Sequence, residues 1–349
     1  MKVFDYLIIG GGIAGSALAF EMAQAQQDFA IVEHTAPGSS TLVSAGLINP
    51  VTGMRFVLSW NFPLIEMAFN QFYQRFQQHF GVKILYEHAI WQKLENEDAC
   101  NQWMIRANDI YYQPYVEPIQ DVPFDKFRFS DPRYGKIKRA FRIDVQLMLT
   151  SVREEAIQKG QWISGNYSPM SLRKQDGMWW LDNLGARKAI LFAEGFKAIF
   201  NPLWENYPII PLKGDCSTFT LENLQFSDIL KSTYSLIPLG GNRYWCGSSY
   251  KPNDKTLDLD LDEIERQRHF IEKIMGSSPN NFQGFFGIRA ASRDRRPIIG
   301  AHHVHPECYL FNGFGTKGAS LVPYCAQQLI DHLLHKSSID PAISIQRFL

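Results

Sequence analysis

The sequence predicts an α/β fold, α+β overall, in two domains that the chain crosses several times. Three observations predict it. An apolar run, Tyr6 to Ile9, leads directly into Gly10, Gly12 and Gly15 at GxGxxG spacing. A second glycine-rich turn, Gly313 to Gly318, precedes a helical pattern near the other end. Between them, stretches rich in β-branched and aromatic residues are interleaved with helical patterns.

The opening reads as strand, glycine turn, helix and second strand, with Glu33 at the tip. Each part has a physical task. Gly10 permits the tight turn, Gly12 admits a pyrophosphate to the backbone, and Gly15 allows close helix–strand packing. Ile13 and Ala14 begin the helix, whose unpaired N–H groups and positive dipole end favour an anion. Glu33 lies eighteen residues after Gly15, where an acid accepts hydrogen bonds from an adenosine ribose, and His34 follows it. An acid there disfavours a 2′-phosphate, so FAD or NAD is expected rather than NADP.

The chain of 349 residues is long enough for two domains and a sizeable core. Its net charge is zero, which gives no general electrostatic case for nucleic acid or an anionic membrane. Five cysteines are scattered, with no CxxC spacing. That pattern speaks against a disulfide framework or a zinc site and for a reducing compartment. No stretch approaches the roughly twenty apolar residues that cross a bilayer. A cytoplasmic protein is expected, with its oligomeric state left open.

After the first unit, residues 34 to 56 read as a loop beside the cofactor turn. Ile65, Phe69, Phe72, Phe76 and Phe80 mark one face of a helix, expected to be core. Val82 to Phe129 reads as strands, and Phe141 to Lys159 as a helix ended by Gly160. The run from 188 to 196 reads as a buried strand ending at Glu194-Gly195. A hairpin is expected at Gly240-Gly241-Asn242, and helices over Asp262 to Met275 and Ser320 to His335. The basic cluster Lys126, Arg128, Arg133, Lys136, Lys138, Arg139 and Arg142 is read as a solvated face, with RNA contact the minority reading. His302, His303 and His305 are read as a surface turn and not a metal site.

These segments together resemble the D-amino-acid oxidase, glycine oxidase and sarcosine oxidase family of flavoproteins, over almost the whole chain. Ser44, Ala45 and Gly46 open SAGLINPVTG, similar to the stretch that passes under the flavin ring. Phe141-Arg142-Ile143-Asp144 resembles the family's G-x-V-D-P entry into a helix. Glu194-Gly195 stands where Thr-Gly is usual. Pro211-Leu212-Lys213-Gly214 resembles P-x-R/K-G. GIRAASRDRRPIIG, from Gly287 to Gly300, and NGFGTKGASLVP, from Asn312 to Pro323, are the most specific segments. These two look closest to the flavin half of the bifunctional enzyme that trims carboxymethylaminomethyluridine in tRNA. Arg347-Phe348 resembles a frequent family ending, which implies a complete C-terminus.

The resemblance implies an FAD-binding domain of residues 1–81, 140–205 and 286–349, and a substrate domain of residues 82–139 and 206–285. It implies noncovalent FAD, since no cysteine lies near GIRAASRD. Gly195, Gly313, Gly315, Thr316, Lys317 and Gly318 join the expected cofactor site. Arg289 is implied to grip a substrate carboxylate, since a guanidinium presents a planar fork to it. The bland alternative is a structural pair with Asp294. Lys317 is implied to touch the carboxylate or to stabilise the reduced flavin anion. Arg55 and Tyr250 are further pocket candidates. The implied reaction is hydride transfer from a carboxylate-bearing amine (a D-amino acid, glycine or N-alkyl amino acid) to flavin, the imine then hydrolysing. The lysine that promotes reaction with oxygen is absent from Arg243-Tyr244-Trp245-Cys246, so the acceptor is oxygen or another oxidant. The alternatives are tRNA wobble-uridine trimming and a noncatalytic flavin-binding protein.

Overall fold

A computed structural model describes residues 2–33, 37–120, 133–165, 167–222 and 226–349. Two large sheets organise it. In the first, strand Lys2–Ile9 (β1) pairs in parallel with both Phe29–Glu33 (β2) and Leu184–Phe192. Trp162–Ser164 extends this sheet beyond β2, and Cys308–Asn312 pairs in parallel with the end of Leu184–Phe192. Parallel strands need crossover connections, which is why β1 is followed at once by helix Ile13–Gln24 (α1). The run Leu7 to Ile9 is fully buried, as a sheet covered on both faces requires.

The second sheet is mostly antiparallel. Its spine is the pairing of Ile209–Thr220 with Asn280–Ser292, running from Ile209 opposite Ser292 to Thr220 opposite Asn280. Ser235–Gly240 and Arg243–Gly247 form the hairpin expected at Gly240-Gly241-Asn242. Tyr134–Ile143 and Leu85–Lys93 continue the sheet on the other side.

The aromatic stripe is core. Helix Phe62–Phe80 buries Phe69, Phe72 and Phe76. Phe20 of α1 meets Phe72 edge-on at 5.3 Å and Phe76 at 5.1 Å between ring centroids. Each such side chain contributes on the order of 1.5–3 kcal/mol through burial. The Tyr73 hydroxyl donates to the Ala319 carbonyl at 2.7 Å, tying this helix to the final one, Gly318–His335. No helix among the described residues is long and apolar enough to cross a membrane.

Several expectations need correction. A helix, Glu97–Asn108, interrupts the stretch read as strands. Its apolar face is short, but Asn96 caps it by accepting the Ala99 N–H at 2.9 Å. Phe141 to Ile143 ends a strand, and the helix begins only at Val145, capped by Asp144. The boundaries drawn at 140 and 286 fall inside strands Tyr134–Ile143 and Asn280–Ser292. The basic cluster is largely paired: Arg133 meets Glu97, Lys136 lies 3.3 Å from Glu117, and Arg139 lies 2.7 Å from Glu66. Arg142 is buried over the Tyr86 ring and not solvated. Lys126 and Arg128 lie outside the described residues. His302 is also buried, its Nδ1 accepting the N–H groups of Val304 and His305. Burial and its histidine neighbours push it down to about 4, so it is neutral.

Candidate active site

The glycine turn is held by contacts only glycine allows. A Cβ on Gly15 would stand 1.8 Å from the Gly10 carbonyl oxygen, and one on Gly10 2.5 Å from the Ala193 oxygen. Gly10 itself sits at φ 107°, in the left-handed half of the map. Its N–H donates to Val32 O at 2.9 Å, and Ala193 N donates to Ile9 O at 2.8 Å. These bonds seat the turn between the ends of three parallel strands. Gly12 caps α1 without a side chain, so the helix start stays open to an anion. The Gly11 N–H donates to the Glu33 carboxylate.

A cleft opens above this turn. Its walls are Gly10 to Ala14, Glu33, Ser39 to Leu42, Ala193 to Lys197, Ile288 and Ala290, and Phe314, Gly315 and Gly318. The two glycine turns meet there. A Cβ on Gly318 would touch the Ile13 side chain at 3.5 Å, so the starts of α1 and of the final helix are neighbours. Asn312 Nδ2 donates to Gly195 O at 2.8 Å and joins the start of the second glycine turn to the turn after strand Leu184–Phe192.

The outer edge of strand Asn280–Ser292 assembles the rest. Ile288 N donates to Gly38 O at 2.9 Å, holding the segment 38–42 as a strap across the cleft. Gly315 N donates to Ala290 O at 2.7 Å, holding the second glycine turn. Arg289 lies between these two anchors. Its Nη2 donates to Ser248 Oγ at 2.6 Å. Its Nη1 is buried with no hydrogen-bond partner among the described residues. Burial lowers the guanidinium pKa, while Cys216, Tyr250 and Asp215 favour its charge. A buried donor without a partner is costly, and a planar acceptor such as a carboxylate would relieve it. The pairing with Asp294 is overturned: that carboxylate accepts from Arg347 Nε at 2.8 Å and from Ser292 Oγ at 3.0 Å.

Lys317 is the N-cap of the final helix and is half-buried. Burial first, and the nearby charge of Arg295 second, lower its pKa. A cation poised at an open helix start adds to the positive field of that end.

Other expected residues take different places. Ser39 to Leu42, and not Ser44 to Gly46, face the cleft. Gly46 is instead packed on Ile143, whose oxygen a Cβ would meet at 2.2 Å. Gly313 is buried at φ 81°, shaping the turn from behind, and Thr316 is exposed. Tyr250 is 64% exposed, yet close enough to act on the charge of Arg289. Arg55 is exposed in the turn between Val51–Thr52 and Val57–Leu58. His34 lies outside the described residues.

The family described as DAO, FAD dependent oxidoreductase, matches residues 5–332. The chain belongs to the DAO family.

The chain is 21% identical to the glycine oxidase of Geobacillus kaustophilus (strain HTA426), over 96% of this chain and 94% of that one. The crystal structure of glycine oxidase from Geobacillus kaustophilus superposes with a TM-score of 0.80 at 16% identity, covering 99% of both chains. Iminodiacetate oxidase (IdaA) from Chelativorans sp. BNC1 superposes with a TM-score of 0.76 at 19% identity, covering 96% of both chains. The chain is 23% identical to the tRNA 5-methylaminomethyl-2-thiouridine biosynthesis bifunctional protein MnmC of Legionella pneumophila (strain Corby), over 98% of this chain but only 57% of that protein.

The protein is thus an FAD-dependent enzyme, and its residues fit the cofactor. Glycines leave the turn open, two helix starts converge, and Glu33 stands at the tip of β2. Three wall residues escaped sequence reading. Thr41 approaches the α1 start, its Oγ1 accepting from Ile13 N at 3.4 Å. Tyr167 faces the cleft from a loop and Lys197 from the short 3-10 helix Gly195–Phe200. Ser248, the partner of Arg289, likewise carries no local signal.

Proposed function

We propose that this DAO family member oxidises the C–N bond of a carboxylate-bearing amine. The observation that carries this reading is the buried, unpartnered Nη1 of Arg289 beside an Nη2 already fixed on Ser248. One arm of the fork is immobilised and the other is left for a ligand. Arg289 would hold the carboxylate so that the α-carbon lies over the reacting ring. FAD, when bound noncovalently, supplies the acceptor for a hydride. The neutral amine lone pair forms the C=N bond as the hydride leaves the α-carbon. Water then hydrolyses the imine to a carbonyl compound and a free amine. Lys317 and the open start of the final helix favour negative charge on the carboxylate or the reduced ring. Five free cysteines, all buried, suit a protein of the cytoplasm.

Anaerobic mixing with glycine, D-amino acids and N-alkyl amino acids tests the proposal. Bleaching of the flavin absorption by a carboxylated amine is expected. Absence of bleaching across the panel would sink it. Re-oxidation of the bleached protein with oxygen, compared with artificial acceptors, identifies the oxidant.

A second reading is supported by Arg295, whose charge reaches Lys317, and by exposed Arg293 and Arg296 beside it. A carboxymethylaminomethyl group on tRNA is itself a carboxylate-bearing secondary amine, so the same site would serve. Nucleoside analysis of tRNA from a deletion strain decides this reading, and unaltered uridines reject it.

A further inference from the structure

Glu194 stands at the cleft wall directly after strand Leu184–Phe192 and Ala193. It has two neutral partners. The Tyr167 hydroxyl donates to Oε1, and Asn201 Nδ2 donates to Oε2 at 3.0 Å. Asn201 cannot be flipped, because its Oδ1 accepts the Leu203 N–H at 3.1 Å. Its amide nitrogen therefore faces Oε2, and Oε2 must be an acceptor. Any proton on Glu194 sits on Oε1, facing Tyr167.

Tyr167 is placed at the adenosine end by the main chain. Ser164 pairs with Glu33, and Gly165 N donates to Glu33 O at 3.1 Å. Tyr167 also feels the charge of Glu33, and both line the same cleft.

We propose that Tyr167 and Glu194 form a selector for the AMP half of FAD, Glu194 turning the Tyr167 hydroxyl hydrogen into the cleft. With Glu194 protonated, Oε1–H donates to Tyr167 Oη. The tyrosine hydrogen is then released toward an acceptor on the adenine, ribose or adjoining phosphate. With Glu194 ionised, the same hydrogen is consumed by Oε1. Burial raises the Glu194 pKa and so favours the donating arrangement, against the Tyr167 and Asn201 hydrogen bonds and the charge of Lys197, which lower it. Lys197 is itself lowered by burial, and Tyr167 is raised far beyond the ordinary tyrosine range. The other titratable group at this end is Glu33. The pair depends on FAD as cofactor and not on the identity of the amine substrate.

Apoprotein titrated with FAD and with FMN, followed by flavin fluorescence, tests the selector. FMN lacks the AMP half and serves as the control. Tyr167→Phe should weaken FAD about 10-fold, the loss of one hydrogen bond to a charged or strongly polar group, and leave FMN unchanged. Wild-type FAD affinity should fall as pH rises through the ionisation of Glu194. Glu194→Gln should bind FAD as tightly as wild type and lose that slope, because its amide donates to Tyr167 at every pH. Wild-type FAD affinity in Tyr167→Phe, or equal losses for FAD and FMN, would overturn the proposal. A slope that survives in Glu194→Gln would overturn it too, assigning the pH dependence to another group. If Tyr167→Phe does not fold, the Glu194→Gln profile decides alone.

Discussion

The guanidinium of Arg289 occupies the space that a side chain on Gly214 would fill. A Cβ there would stand 2.5 Å from Nη1 and 2.7 Å from Nη2. The register explains it: Leu212 pairs with Arg289, and Gly214 is the next residue on the same face of that strand. Gly214→Ala should therefore displace the fork without touching the cofactor turn. The expected outcome is a KM for a carboxylated amine raised on the order of 100-fold, with the flavin spectrum retained. Unchanged steady-state kinetics would show that the fork is not a substrate contact.

Ser248 fixes one arm of that fork at 2.6 Å. Ser248→Ala frees it and leaves a second buried donor unpaired. KM should rise about 10-fold with little change in kcat, the loss of one hydrogen bond to a charged group. A fall in kcat at constant KM would assign Ser248 a different task.

Arg289→Lys keeps a cation but loses the planar fork. The variant should bind carboxylated amines at least about 10-fold more weakly, and Arg289→Ala more weakly still. Amines lacking a carboxylate should respond equally in all three proteins. Equal loss for both substrate types would point to collapse of the pocket.

Lys317 gives the pH dependence a direction. Its pKa is lowered, so its charge is lost on the alkaline side before that of an exposed lysine. KM for the carboxylated amine should rise as pH climbs through that point. Lys317→Arg, charged throughout, should abolish this alkaline limb. An identical limb in the arginine variant would assign it to another group of the protein.

Gly15→Ala tests the cofactor turn. The added methyl would stand 1.8 Å from Gly10 O and 2.9 Å from Gly10 C, a backbone that cannot swing aside. The helix must move off the strand, and purified protein should carry no flavin while its far-ultraviolet circular dichroism stays near wild type. Full flavin content would mean the turn tolerates what its geometry forbids.

The cofactor half was legible because its information is local. Three glycines, an apolar run and an acid lie within Tyr6 to Glu33. The aromatic helix was legible for the same reason, its spacing matching one helical face. The substrate half was less so. Ser248 lies 41 residues from Arg289 and reaches it only through strand pairing. The Arg289–Asp294 alternative, close in sequence, failed because Arg347, 53 residues away, claims that carboxylate. Burial of His302 and Arg142 was hidden for the converse reason. Polar side chains enter a core when partners await them there, and partners have no periodicity.

The strap hangs from the N–H of Ile288 and the second glycine turn from the carbonyl of Ala290, alternate residues of one strand. The Cα atoms of such residues stand one strand repeat, about 7 Å, apart, a length set by the peptide bond itself. It works as a ruler, with Arg289 as the mark between its ends. Mutation can repaint the pocket walls without altering that gauge. Moving the amine one carbon further from the carboxylate would carry the reacting bond off the scale. With the carboxylate on Arg289 as proposed, β-amino acids should therefore be rejected on length alone, before any side chain is read.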